Sequence, residues 1–421
     1  MAERELDVIV LGATGVTGRR VAEYLGERAP ETGARWAAAG RDATRLERVL
    51  GEEGVSAPET IVADVSDPAS LGAMASRTRV VLNLVGPYTP TARPVIDACV
   101  AAGAHYADLS GEIPFVRRIV DDFDARASDA GVKIVQVCGF ESVPADLAVV
   151  LATEAARERW GEALTEADLH LWLTGPPGMP RPSDSGGVAS AQSLVEMVGD
   201  EDSSTMTDPA ALITDGATAA EVRRRSPISV RPRSADGGAV VAPMFPSPFI
   251  TPAVIHRTTA LLAAERGARP EIVRYREGLV IRGGTASTPL RYAAAGALSG
   301  THAALARVAG AQTRVRRRFS SALRAVLPSS GSSPPVDRQA GWRWGMSLET
   351  RTAAGKEVRV EVDSEGHIGY LATGRILGEA GLLLAEPGAT PERAGCLTPA
   401  TALGTDNVER FVRARLRFTV A

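Results

Sequence analysis

Three glycines at even spacing, Gly12, Gly15 and Gly18, lie where a short apolar run ends and an amphipathic run begins. The run from Val8 to Leu11 reads as a buried strand, and the residues up to Leu25 read as a helix. Residues of these types in this order can hold a pair of phosphates. Gly12 allows a tight turn, Gly15 lets the backbone approach a pyrophosphate, and Gly18 lets the helix pack closely on the strand. The helix N-terminus adds free N–H groups and a partial positive charge. The loop Gly12, Ala13, Thr14, Gly15, Val16, Thr17 and Gly18 is therefore the candidate dinucleotide cradle, in the spacing G-x-x-G-x-x-G. Glycines also mark ordinary turns. The place of this triplet, after a strand and before a helix near the N-terminus, favours the nucleotide.

The next elements refine the ligand. A second apolar stretch, Trp36 to Ala39, ends in Gly40 and Arg41, with Arg45 one helical turn further on. An NAD site usually carries Asp or Glu here to hold the ribose 2′-hydroxyl, whereas a planar, always charged guanidinium suits a 2′-phosphate. The expected cofactor is NADP(H). The alternative leaves Arg41 in solvent and puts Asp42 on the ribose. A third strand, Thr60 to Ala63, ends at Asp64, which either meets the adenine or serves as a turn or cap residue.

Later strand ends carry the candidates for chemistry. Asn83, Gly86 and Pro87 follow a fourth strand (Val80 to Leu84) and can line the cofactor with little bulk. Tyr88 beside them is either a proton donor or a packing aromatic. Asp108 and Glu112 follow a fifth strand (His105 to Ala107), and a helix-cap role suits Glu112, which precedes Pro114. Glu141 and Ser142 lie past a sixth strand (Lys133 to Val137), where a substrate or a nicotinamide carboxamide would lie. Tyr88 and Glu141 are thus the catalytic candidates. His105 reads as structural. No Ser-Tyr-x-x-x-Lys arrangement and no metal constellation is evident. Cys99, Cys138 and Cys396 are too few and too scattered for a disulfide framework.

These residues need a scaffold that brings strand ends together. Residues 1–148 alternate strand and helix, which implies an α/β fold with a Rossmann-type, doubly wound parallel sheet of six strands. A helix from about Thr91 to Ala102 is expected to hold Pro94 in its first turn. The pattern then changes. Residues 149–366 are expected to form a second α+β domain on a mostly antiparallel sheet, for substrate or oligomer contacts. Within it, Pro176–Gly187 and Ser329–Pro335 read as loops, and residues 200–248 read as poor in regular structure. Residues 367–421 are expected to be helices that return to the first domain.

The 421 residues carry 47 Lys and Arg against 50 Asp and Glu, a net charge of −3. That balance offers no general attraction for nucleic acid or an anionic membrane. No apolar run reaches the ~18 residues of a membrane span, and a strand begins by Asp7, so a cytoplasmic protein without a signal peptide is expected. The apolar, proline-containing segment Met244–Leu262 either rests on lipid at the periphery or forms a buried hinge. The arginine-rich runs Arg314–Arg318 and Arg223–Arg225 are either solvated helix faces or a dock for an acyl-carrier protein.

Six motifs stand in order along the chain. They are Gly12–Gly18, Asn83–Tyr88, Tyr106–Glu112, Gly139–Pro144, Gly369–Thr373 and Leu397–Thr401. Together they resemble the saccharopine-dehydrogenase-like oxidoreductases, and most of all the actinobacterial trans-acting enoyl reductases. The loop Ser330–Pro335 departs from the glycine-dense character expected at that place. The resemblance implies an NADPH-dependent reduction of an α,β-unsaturated acyl or related lipid intermediate. It leaves open a homodimer and an acyl group carried on protein. Two other readings remain. One is carbon–nitrogen redox chemistry on an amino-acid adduct, with Arg181, Arg231, Arg233 or Arg338 for the carboxylates. The other is a non-catalytic, lipid-associated scaffold that holds NADP.

Overall fold

Short runs of Val, Ile, Leu and Ala form the first sheet: β1 (Leu6–Leu11), β2 (Trp36–Gly40), β3 (Thr60–Val62), β4 (Thr78–Asn83), β5 (His105–Asp108) and β6 (Lys133–Val135). Runs without in–out alternation suit a parallel sheet covered on both faces. The crossovers are α1 (Val16–Thr32), α2 (Ala43–Glu52), α3 (Pro68–Ser76), α4 (Tyr88–Ala102) and α5 (Ile113–Asp129), and α6 (Val143–Trp160) leaves β6. The structure is a computed structural model and describes residues 4–55, 59–178, 188–235, 238–282, 288–326 and 334–421.

The strand order β3-β2-β1-β4-β5-β6 is parallel throughout and reverses between β1 and β4. A crevice opens at such a reversal, outside the carboxyl ends of the strands. One helix boundary differs from expectation. The helix after β4 starts at Tyr88 rather than Thr91, so Pro94 lies in its interior. The earlier start has a cause outside the helix. The Glu112 carboxylate accepts from the Tyr88 and Thr89 amides and caps the first turn.

The second half comprises β7 (Leu164–Thr174), α7 (Val188–Gly199), α8 (Gly216–Arg225), β8 (Arg233–Ser234), β9 (Val240–Ala242), α9 (Thr251–Glu265) and β10 (Arg274–Ile281). Then follow α10 (Thr288–Ala309), α11 (Thr313–Val326), α12 (Val336–Ala340), β11 (Arg343–Thr352) and β12 (Glu357–Glu365). The chain ends with α13 (Leu371–Ala385), β13 (Gly395–Leu397), α14 (Pro399–Leu403) and β14 (Leu416–Val420). The second sheet runs β14-β12-β11-β7-β10-β9-β8 and is antiparallel except for β7 with β10.

Several expectations need correction. The first sheet has a seventh strand, because β13 pairs in parallel with β6. The C-terminal segment is not purely helical either: β14 crosses to the second sheet and pairs with β12. Residues 200–248 contain α8, β8 and β9. The segment Met244–Leu262 offers no apolar face to lipid, since residues 251–258 of α9 are all buried. In the arginine runs, Arg223 pairs with Asp208, Arg224 with Glu221 and Arg317 with Glu201, while Arg316 is buried. The loop 176–187 is described only to residue 178, and the loop 329–335 only from residue 334; the rest of each, with Arg181, lies outside the described residues.

Helix α13 locks the C-terminal segment onto the first sheet. Save for Arg375 it is buried throughout. Its glycines set how closely it approaches α1 and β4. A Cβ on Gly374 would stand 2.6 Å from Arg20 Cβ, and one on Gly381 2.8 Å from a Leu82 methyl. On Gly378 the added atom would lie 2.5 Å from the ring of the buried Tyr24. Gly378→Ala is expected to destabilise the fold by about 1–3 kcal/mol through overpacking. Urea unfolding checks this, and an unchanged midpoint would mean that the seam is loose.

Candidate active site

The carboxyl ends of the parallel strands open onto a cleft of about 890 Å3. Its first wall is the glycine loop. Gly12 has φ +85, a left-handed conformation that L side chains rarely adopt. A Cβ on Gly18 would stand 2.3 Å from the Gly12 carbonyl oxygen, so α1 and β1 meet backbone to backbone. A Cβ on Gly15 would meet little besides the Gly12 oxygen at 3.2 Å and would project towards open space. Gly15 is also the N-cap of α1, with no side-chain cap and no acid in the first turn. The orphan N–H groups of that turn stay available to an anion. The N-terminus of α4 contrasts with this, because Glu112 already fills it.

The far end of the cleft is cationic. Arg41 and Arg45 line it; among the described residues neither is in a salt bridge, and the charge of Arg41 is felt by Asp64. Arg19 lines it too but pairs with Glu53 at 2.8 Å. Asp42 is occupied elsewhere: its carboxylate accepts from the Arg45 amide at 3.0 Å and caps α2. Asp64 lines the cleft, but one of its oxygens accepts from the Ser66 amide and hydroxyl, and these bonds hold its carboxyl below the usual range. The turn reading of Asp64 therefore describes its present contacts. Two guanidiniums outside any salt bridge, beside carboxylates already engaged in turns and caps, suit a 2′-phosphate.

Thr14, Val16, Thr17, Gly86, Pro87, Tyr88 and Glu141 also line the cleft. Two predicted residues do not. Ala13 is fully buried in the core. Asn83 is buried and spends its side chain internally, with its amide donating to the Tyr106 hydroxyl at 3.0 Å and its oxygen accepting from the Val85 amide. The Tyr88 hydroxyl is engaged inside the protein. Its hydroxyl donates to the Asn83 carbonyl at 3.3 Å and accepts from the Leu109 amide at 3.4 Å. Burial, reinforced by Asp108, lifts its pKa well above the ordinary value and makes it a poorer acid.

Glu141 is different. Its carboxyl receives one hydrogen bond, from the Ser247 hydroxyl at 3.1 Å, and burial pushes its pKa up to about 7. The neutral acid is therefore well populated near neutral pH. Glu112 is also raised by burial but holds α4 and Ser193. Asp108 sits behind the cleft and binds the Tyr106 hydroxyl and the Ser110 amide. It also holds Val137, whose φ of +58 is strained for a β-branched residue at the cleft wall.

The sequence pointed to the second half of the chain for the other wall but not to its residues. Ile368, Gly369, Tyr370 and Thr373 come from the α13 turn, and Gln192, Ser193, Met197, Pro246 and Ile250 from the second half of the chain. The Thr373 hydroxyl accepts from the Phe140 amide at 3.2 Å, next to Glu141. The Gly369–Thr373 motif was the available signal for this contact. The two glycines separate binding from folding. Gly15→Ala should weaken NADPH binding while thermal unfolding stays within a few degrees, and Gly18→Ala should lower the unfolding temperature. Full NADPH affinity in Gly15→Ala would mean that the loop is an ordinary turn.

Comparison with known proteins follows the same lines. Residues 8–135 match the family model described as the saccharopine dehydrogenase NADP binding domain, and the cofactor is NADP(H). The open helix end, the small residues and the cleft arginines fit that group. A trans-acting enoyl reductase of Mycobacterium bovis is 33% identical over 428 residues, covering 96% of this chain and 94% of its own. A Mycobacterium tuberculosis protein named provisionally as a trans-acting enoyl reductase is 32% identical over 423 residues, covering 98% of this chain and 96% of its own. Apo saccharopine dehydrogenase (L-Glu forming) from Saccharomyces cerevisiae shares the fold at 13% identity, with a TM-score of 0.53 over 99% of this chain and 100% of that one. The chain belongs to the saccharopine-dehydrogenase-like oxidoreductases, together with the mycobacterial trans-acting enoyl reductases.

Proposed function

We propose that this NADPH-dependent oxidoreductase reduces the carbon–carbon double bond of an α,β-unsaturated acyl substrate, with Glu141 as the proton donor. The observation that carries the reading is a carboxyl raised to about 7 on the cleft wall, beyond the end of β6. The names of the mycobacterial relatives support the enoyl substrate. When bound, NADPH supplies the hydride for the β-carbon. The chain supplies the rest. Glu141 gives its proton to the α-carbon as negative charge develops there, and the Ser247 hydroxyl holds the carboxyl in place. Met197, Pro246, Ile250 and Ile368 form an apolar wall that can take an acyl chain and exclude water.

Carbon–nitrogen chemistry on an amino-acid adduct finds less support. Among the described residues Arg231, Arg233 and Arg338 are absent from the cleft wall, and Arg233 is paired with Asp168. A scaffold without turnover would have no use for a neutral carboxyl at the cofactor cleft.

Steady-state NADPH oxidation against enoyl, keto and imine substrates tests the proposal. Enoyl thioesters should turn over, and activity with imines alone would overturn it. Glu141→Gln should lower kcat about a hundredfold or more, whereas Tyr88→Phe should stay within a few-fold of wild type. The wild-type rate should fall as pH rises through about 7, because the acid form of Glu141 is lost. Comparable losses in both variants would return the proton to Tyr88.

Cofactor choice gives a separate check. Arg41→Ala should weaken NADPH about ten- to a hundredfold and NADH far less, the loss expected for a charge-assisted hydrogen bond. Fluorescence titration with both cofactors reads the difference, and equal losses would remove Arg41 from the 2′-phosphate.

A further inference from the structure

Behind Glu141, where the two sheets meet, lies a second cavity of about 20 Å3, room for one water. Glu141, Ser247 and Thr251 line it from one side, and Glu277 of β10 from the other. Two carboxyls, one from the loop after β6 and one from β10, therefore share one small space. Glu277 Oε2 accepts from the Tyr275 hydroxyl at 2.9 Å; its Oε1 is buried without a hydrogen bond of good geometry, although the Thr251 hydroxyl lies close enough to lower the pKa of the carboxyl. A buried oxygen with no well-placed donor calls for a bridging water or a proton.

The surrounding charges do not neutralise this pair. Arg233 is the cation felt by Glu277, but its guanidinium binds Asp168 and the Glu277 backbone carbonyl. Asp168 is also held by Arg276 and His170. Asp168 and Asp146 add negative charge around Tyr275. Thr251 donates to the Glu141 carbonyl. Burial, with the charge of Glu141 adding to it, raises Glu277 to about 8. Two carboxylates facing one such space cannot both ionise cheaply.

The geometry points to Glu277 as the partner of Glu141 in a carboxyl pair that shares a proton through one water in this cavity and reloads Glu141 during reduction. The inference rests on Glu141 being the proton donor. The balance is simple. The hydride from NADPH carries both electrons to the β-carbon, and Glu141 loses one proton to the α-carbon. The proton of Glu277 then crosses the water to Glu141. The carboxylate left on Glu277 keeps its Tyr275 hydrogen bond and regains a proton from solvent before the next turnover. Glu277 acts through Glu141 and is a positioning residue.

The test is infrared titration of the protonated-carboxyl band in the NADP+-bound protein, with wild type, E277Q and E141Q, beside the pH profile of kcat. In wild type the pair should release its protons in two coupled steps. Glu277 holds the last proton and feels the charge of Glu141, so the Glu277 midpoint in E141Q should fall by about one unit or more. Glu141 ionises while Glu277 is still neutral, so in E277Q the upper step should vanish and the lower one stay in place. The alkaline limb of kcat should then keep its position in E277Q while kcat itself falls. A Glu277 midpoint unchanged in E141Q, or an upper step that persists in E277Q, overturns the pair. Shifted midpoints without enoyl turnover in wild type would overturn the substrate reading and leave the pair standing.

Discussion

The site depends on one close backbone contact, that of Gly18 with the Gly12 carbonyl. A single methyl at Gly18 would lie 2.3 Å from that oxygen. This contact lets α1 begin directly above the end of β1, where the sheet order reverses towards β4. The first turn of α1 then faces the crevice with no side-chain cap of its own. Arg41 follows because β2 is the neighbour of β1 on the side away from β4. The glycine loop and Arg41 thus stand at the ends of adjacent strands, paired at Leu11 with Ala39.

The second constraint is the junction between the sheets. Phe140 meets Trp344 of β11 edge to face, with ring centroids 4.9 Å apart, while the Phe140 amide donates to Thr373. Asp146 of α6 accepts from the Thr258 hydroxyl of α9 and the Ala400 amide of α14. These contacts join the loop after β6 to β11 and α13, and α6 to α9 and α14. Glu141 lies within this fixed frame, so its distance from the cleft is set by packing rather than by a mobile loop. That rigidity matters for proton delivery, because a small misplacement of a catalytic group costs much of its effect.

What could be read from the sequence was local. The glycine loop, the two arginines and the parallel strands each follow from a few consecutive residues and a period. The capping of α4 by Glu112 was out of reach, because the residues it joins are 24 apart and lie on different elements. Strand β13 is only three residues long and acquires its identity from β6. The place of Tyr88 beside the cleft was legible, whereas the backbone groups that hold its hydroxyl were not. Glu277 carries no motif at all. It reaches Glu141 through the pairing of β10 with β7, a contact between distant parts of the chain.

Burial alone does not distinguish a working carboxyl from a structural one in this protein. Asp108, Asp146 and Glu141 are all raised to about 7 by burial. The donors around them separate their roles. Asp108 takes backbone amides of Ser110 and Val137 and the Tyr106 hydroxyl, and Asp146 takes an amide and a threonine hydroxyl. Such carboxyls are anchors, because moving their protons would disturb a strand end or a helix start. Neither of them lines the cleft. Glu141 has one hydroxyl donor and touches both the cleft and the small cavity behind it. It can therefore change its protonation state without releasing backbone, which is the property a proton donor at this site requires.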